Sequence, residues 1–292
     1  VLGIVIAGCV PAQDSSAYAP GQARSVANCQ RTAAWVGGSL WGGAYILLDR
    51  AWYAQFERTS FHGFNDGREW LQMDKAGHAF SAYTLGAWGH GLLRHCGASE
   101  ARSRWAGGAL GLAFLSGIEV LDGFSAGWGF SPWDMAANTG GAGLFIVQDA
   151  LWGEQRVRLK LSAHLTDFAA RRPDLLGSSF AERLLKDYNG QTYWASVDVA
   201  RFGAGPGRWP RWLMPSVGYG ATGMVAAFPD EQPMAVAAQR RFFLSLDTDL
   251  RRVRTRSRFV RAVLTVLSSI KVPAPTLELR SDGTLLGHWL YF

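Results

Sequence analysis

Between Glu69 and Asn138, ionisable side chains interrupt three otherwise apolar, glycine-rich stretches, and this constrains the fold more than any other feature. The stretches read E-W-L-Q-M-D-K-A-G-H at 69–78, I-E-V-L-D-G at 118–123 and S-P-W-D-M-A-A-N at 131–138. Asp74 and His78 are four residues apart, as are Asp134 and Asn138, while Glu119 and Asp122 are three apart. Each spacing places both polar groups on one helix face. Ionisable groups within apolar helices are costly unless they meet partners, so the three pairs are expected to converge on one site. The candidate catalytic or metal-ligating residues are Asp74, His78, Glu119, Asp122 and Asp134, with Lys75 and Asn138 as ligand contacts.

Four apolar segments frame this cluster: Ala33–Leu48, Ala76–Leu93, Trp105–Leu121 and Met135–Trp152. Each falls short of the roughly 20 clean apolar residues of a membrane span. They read either as membrane helices of modest hydrophobicity or as the buried helices of a membrane-attached bundle. The chain's 35 glycines exceed the ordinary usage of about 7%. Those in runs such as G-G-A-L-G-L-A at 107–113 lack the Lys-Ser/Thr ending of a phosphate loop and are expected to be helix-packing surfaces. Ser131, ahead of Pro132, reads as a helix N-cap.

Beyond residue 160 the pattern changes. A capping signature at 178–187 predicts a short helix, and the stretches 193–202, 216–224 and 242–250 alternate as strands do. The segments 276–280 and 285–292 flank Ser281-Asp282-Gly283-Thr284, a hairpin signal because Asp-Gly readily supplies positive φ. Five strands are too few for a membrane barrel, so a small antiparallel sheet is expected. The reading is therefore α+β: a tether over 1–30, a four-helix membrane-associated bundle over 31–160, and a C-terminal domain over 161–292.

The formal charge of +6 is local. Seven cations, Arg251, Arg252, Arg254, Arg256, Arg258, Arg261 and Lys271, lie in a stretch without an acid and leave the rest of the chain near neutrality. Within it, Ser257–Ile270 sets Val260, Val263, Leu264, Leu267 and Ile270 on one helical face. Such a basic amphipathic helix lies on an anionic membrane surface or packs its apolar face on protein. Nothing else in the chain supports nucleic-acid binding.

The opening V-L-G-I-V-I-A-G-C resembles the end of a secretory signal with a lipobox, in which Cys9 is lipidated. Export places the protein in the periplasm or at the outer membrane. The basic flanks Arg94, Arg102 and Arg104, and Arg156, Arg158 and Lys160, would instead suit an inner-membrane arrangement with the cluster in the periplasm. Cys29 and Cys96 fall at the same side of a helical hairpin, where they form either a disulfide or two free thiols.

The motifs D-K-A-G-H-A-F-S-A-Y and I-E-V-L-D-G-F-S-A-G-W-G-F-S-P-W-D-M-A-A-N resemble the YfiM-type family of predicted periplasmic lipoproteins. The resemblance runs from about Trp35 to the C-terminus, through D-Y-N-G-Q-T-Y-W at 187–194 and K-V-P-A-P at 271–275. Shorter members hold only the region equivalent to 69–153, which implies that the sheet is an addition. More distantly, D-K-x-x-H, a Glu and D-x-x-x-N are similar to VanZ-like membrane proteins, which are associated with the cell envelope and glycopeptide tolerance. Both resemblances imply an envelope location, and neither brings an established reaction.

Three roles fit the cluster. One imidazole and several carboxylates suit a divalent first-row metal ion. Crowded carboxylates with raised pKa values beside His78 suit acid–base chemistry. Lys75 and His78 suit a lipid phosphate. Against all three stands a polar network that only locks the helices in register. Two functional classes follow: an envelope protein that binds a membrane lipid or envelope component, or a hydrolase or transferase acting on a phosphorylated envelope lipid.

Overall fold

The computed structural model describes residues 20–54, 56–203, 209–233 and 237–292. Cys9 and its lipobox lie outside them. The expected α+β order is present: among the described residues a helical region comes first, followed by a sheet of six antiparallel strands.

Helix α1 (Pro20–Leu48) begins inside the stretch read as a tether and continues into a wider turn at Asp49–Tyr53. Helices α2 (Met73–His95), α3 (Glu100–Asp122) and α4 (Pro132–Trp152) pack against one another. Ser99 caps α3 by accepting from the Arg102 N–H. Ser131 caps α4, with Pro132 in the first turn, where its missing N–H costs nothing. Glycine sets the separation of these helices. A Cβ on Gly111 would sit 2.2 Å from the Ala82 carbonyl oxygen, and one on Gly141 would sit 2.1 Å from that of Ala79. Backbone therefore touches backbone on both sides of α2.

Helix α1 lies at the periphery of the other three. A disulfide joins Cys29 to Cys96 (Cα–Cα 5.3 Å), which settles the two alternatives left by the sequence. Further along, Trp41 meets Phe114 edge-on at 5.3 Å and the Tyr45 hydroxyl donates to the Phe114 carbonyl at 2.7 Å. The opposite side of α1 is open, with Trp35 79% exposed. Among the described residues, α3 is long and apolar enough to cross a membrane, by length and composition.

The strands are β1 (Val157–Ala163), β2 (Gln191–Val197), β3 (Leu213–Thr222), β4 (Gln239–Thr248), β5 (Ala274–Arg280) and β6 (Leu285–Tyr291), neighbours in that order. The β5–β6 hairpin turns at Gly283, with φ of 89°. Strand β1 was not anticipated: its Arg158 and Lys160 read as the basic flank of α4, yet both side chains are buried. Short helices α5 (Phe168–Arg171), α6 (Pro173–Leu176) and α7 (Phe180–Lys186) link β1 to β2. Ser179 and Glu182 form a full capping box on α7. Helix α8 (Arg258–Leu267) links β4 to β5.

The bundle meets the sheet through the Tyr83 hydroxyl, which donates to the Val157 carbonyl at 3.2 Å, and through Phe80 against Tyr193. A core of Trp70, Leu71, Met73, Leu176, Ala221 and Met224 fills the joint.

Candidate functional site

The start of α2, the end of α3 and the start of α4 lie together, because α3 runs antiparallel to its neighbours. Cys96, at the other end of α2, is far from this point. The approach to α2 is unusual. Trp70, Leu71 and Gln72 all take left-handed backbone conformations, with φ of 47°, 51° and 64°. None is glycine, and each costs about 1–2 kcal/mol there. Three hydrogen bonds hold the turn: the Trp70 N–H donates to the Ala227 carbonyl at 2.8 Å, the Tyr219 hydroxyl donates to the Leu71 carbonyl, and Arg240 donates to the Gln72 side chain at 2.7 Å. The turn delivers Glu69 and Asp74 to the same cluster, where they repel each other.

At the centre stands Lys75. Its ammonium lies 2.5 Å from Asp66, 2.9 Å from Asp74 and 2.9 Å from Asp134. Beside it, His78 Nδ1 is 3.0 Å from the Asn138 side-chain oxygen and 3.6 Å from Glu119 Oε1, while Nε2 is 3.9 Å from Asp134 Oδ1. An amide oxygen only accepts, so Asn138 fixes the proton on Nδ1 and leaves the Nε2 lone pair facing Asp134. Glu119 Oε2 accepts from the Ser131 N–H at 3.2 Å. Among the described residues Glu119 Oε1, Asp74 Oδ1 and the Asn138 amide nitrogen have no hydrogen-bond partner, although all three residues are buried.

The structure thus brings together Asp74, Lys75, His78, Glu119, Asp134 and Asn138. Asp122 sits at the margin, bonded to the Tyr53 hydroxyl and close enough to Glu119 to repel it. Sequence reading missed Asp66, Glu69, Ser131 as more than a cap, and Tyr53. Asp66 lies in an irregular loop where no periodicity marks it. Glu69 opens the quoted motif but lies ahead of the helix. Ser131 both caps α4 and donates to Asp66 at 2.5 Å.

Six carboxyl groups therefore share one ammonium, and their protonation follows from that imbalance. Burial pushes Glu119 up to about 8, with repulsion from Asp122 adding to it. Burial and then Asp74 raise Glu69 to about 8. Burial raises Asp122 to about 7 against the Tyr53 hydrogen bond, and raises Asp74 to about 6 against the pull of Lys75. Asp134 is raised to about 10 by burial, by Asp74 and by its hydrogen bond to Asp66. In that bond Asp134 keeps the proton and donates. Asp66 is held below the usual range despite burial, since Asp134, Lys75 and Ser131 all donate to it. His78 is driven down to about 4 by burial, which outweighs the Asn138 bond, and is neutral. Lys75 is raised by its carboxylates in spite of burial and stays charged.

His78, Glu119 and Asp134 each offer a ligand atom within 4.8 Å of the others, as do Asp66, Asp74 and Asp134. Of these two sets, the first holds a neutral imidazole and the unpartnered Glu119 oxygen, while the second already surrounds Lys75.

No match was found among the curated proteins or among the solved structures. Residues 62–149, which comprise the loop, α2, α3 and most of α4 and carry the cluster, match the family described as "Predicted periplasmic lipoprotein (DUF2279)".

Proposed function

We propose that the protein is a membrane-attached envelope protein whose cluster binds a divalent metal ion at His78, Glu119 and Asp134 and, through that ion, an anionic lipid or other envelope component. The observation that carries this reading is the charge imbalance: six carboxyl groups face one ammonium in a buried site. Buried carboxylates in such excess either hold protons or hold a cation. An imidazole with its free nitrogen turned into the site, held in place by the Asn138 amide oxygen on its other nitrogen, is a ligand arrangement suited to zinc or manganese. A phosphate or carboxylate ligand gains little from the bare cluster, because Lys75 is already saturated by three carboxyl groups. A bound cation reverses that sign. The family match over 62–149 and the Cys29–Cys96 disulfide both favour the periplasm, where disulfides persist. Lipidation at Cys9 would supply the attachment, and the wider family resemblance would extend through the sheet.

The test is calorimetric titration of the untagged, chelator-treated protein with zinc and with manganese, beside His78→Ala and Glu119→Gln. One ion per chain is expected, with at least a hundredfold weaker binding in each variant while circular dichroism is unchanged. Absence of binding, or equal binding by folded variants, would leave the cluster as a protonated structural network and sink the proposal.

A further inference from the structure

The sheet is built with its polarity reversed. Along β1, β2, β4 and β5 the side chains that point inward are mostly charged or hydroxyl-bearing. Lys160 and Lys271 are fully buried; Lys160 pairs with Asp247 at 2.6 Å, and Lys271 donates to the Leu246 carbonyl at 2.6 Å. Arg241 pairs with buried Glu278 at 2.8 Å, and Ser196 bridges Ser216 and Asp247. The alternate positions point outward and are aliphatic or aromatic: Val217, Phe242, Leu244, Leu246, Leu277 and Leu279 are each between 42% and 55% exposed. A sheet at a water boundary shows the opposite arrangement. The helical part lies over β1 and β2 and reaches β3 at Tyr219, whose hydroxyl bonds the Leu71 carbonyl, but it leaves Leu244, Leu246, Leu277 and Leu279 exposed.

Helix α8 follows directly from β4 and shares the pattern. None of its residues is buried, and Phe259 is 77% exposed, so its apolar face touches little of the protein. Ten residues are below the roughly 12–15 that sustain a helix in water unaided. Arg254, Arg256, Arg258 and Arg261 are exposed, and among the described residues none of them enters an ion pair.

We infer that the outward face of β3–β6, with α8 beside it, is a membrane-docking surface whose occupant is an anionic lipid bilayer. The aliphatic face enters the acyl region of one leaflet, and the unpaired arginines meet lipid headgroups. Charge complementarity selects the bilayer, since a basic amphipathic helix beside an unbroken apolar face matches the headgroup and acyl layers in order. Among the described residues the sheet has six strands, fewer than the eight of the smallest membrane barrels, and the proposal places it in one leaflet.

The experiment is vesicle flotation of the full chain carrying Cys9→Ala, which removes any acyl chain attached there. Vesicles of phosphatidylglycerol with phosphatidylethanolamine are compared with phosphatidylcholine alone. The protein is expected to float with the anionic vesicles and at least about tenfold less with the neutral ones. Leu244→Ser with Leu277→Ser should lower the partition about a hundredfold, each leucine being worth about tenfold. Arg258→Gln with Arg261→Gln alters only an exposed helix and should remove most of the anionic preference. Failure of the Cys9→Ala chain to float overturns the inference, as does undiminished flotation of the folded double-serine variant. So does a solution dimer that the serine pair converts to monomer with flotation unchanged, because the face would then belong to a second copy.

Discussion

Two adjacent glycines in α4 offer a sharp test of how the bundle is held. Gly141 faces α2, where an added Cβ would lie 2.1 Å from the Ala79 carbonyl oxygen and 2.9 Å from its Cα. Both obstacles are backbone and cannot rotate away, so α4 must move outward by about 1 Å to reach ordinary contact. Overpacking of this kind costs about 1–3 kcal/mol, and rigid backbone places it near the upper end. The gain in helix propensity from glycine to alanine returns about 1 kcal/mol. Gly140 has nothing within 4 Å of its added Cβ and receives that gain alone. Gly140→Ala should therefore be more stable than Gly141→Ala by about 2–3 kcal/mol. With a urea dependence of about 3 kcal/mol/M, the midpoints of unfolding by circular dichroism should differ by about 0.7–1 M. Because Asn138 lies one turn from Gly141, outward movement should also loosen the His78–Asn138 hydrogen bond and weaken metal uptake in Gly141→Ala only. Equal midpoints for the two variants, or a more stable Gly141→Ala, would refute glycine as the spacer that sets the site.

Glu278→Gln should destabilise the sheet by about 3–5 kcal/mol at neutral pH, since it strands the buried Arg241. Burial alone would raise Glu278, but hydrogen bonds from Arg241, Arg280 and His288 hold it down to about 2. A depressed folded pKa contributes stability above the usual value of 4.5 that is lost as pH falls towards 2. The gap in unfolding free energy between wild type and Glu278→Gln, read from urea unfolding, should therefore narrow by about 1–3 kcal/mol from pH 6 to pH 2.5, the lower end reflecting access of water past the partly exposed His288; a constant gap would contradict it. Cys29→Ser should lower stability by up to about 4 kcal/mol, since the bond spans a sequence separation of 67 residues. Limited proteolysis should then cut first in α1, and an unchanged midpoint would show that Trp41 and Tyr45 suffice to hold that helix.

Much of the helical site was legible because ionisable residues stand out against an apolar background. Asp74 with His78, and Asp134 with Asn138, declare a face through their spacing alone. Asp66 gave no such sign, since it reaches Lys75 through tertiary packing of a loop. The hairpin at Asp282-Gly283 was legible for a backbone reason: only a residue tolerant of positive φ closes it. Strand β1 was not, although Val157–Ala163 alternates, because charged residues in alternation suggest a solvated face. A period of two separates the faces of a strand without saying which one is inside. His90 and His288 lie 3.8 Å from Asp149 and 2.7 Å from Glu278. Their partners lie on other elements, beyond the reach of local spacing.

The left-handed turn at Trp70–Gln72 makes the chain less modular than its family match implies. Cutting after Trp152 would keep every carboxylate of the cluster, yet it would remove Ala227, Tyr219 and Arg240, the three braces of that turn. Without them the turn has every reason to relax into right-handed backbone and to swing Glu69 and the start of α2 away from Lys75. The sheet is then scaffolding for the helices as well as a surface of its own. Any shorter chain built on the 62–149 segment must find a different way to hold the same corner.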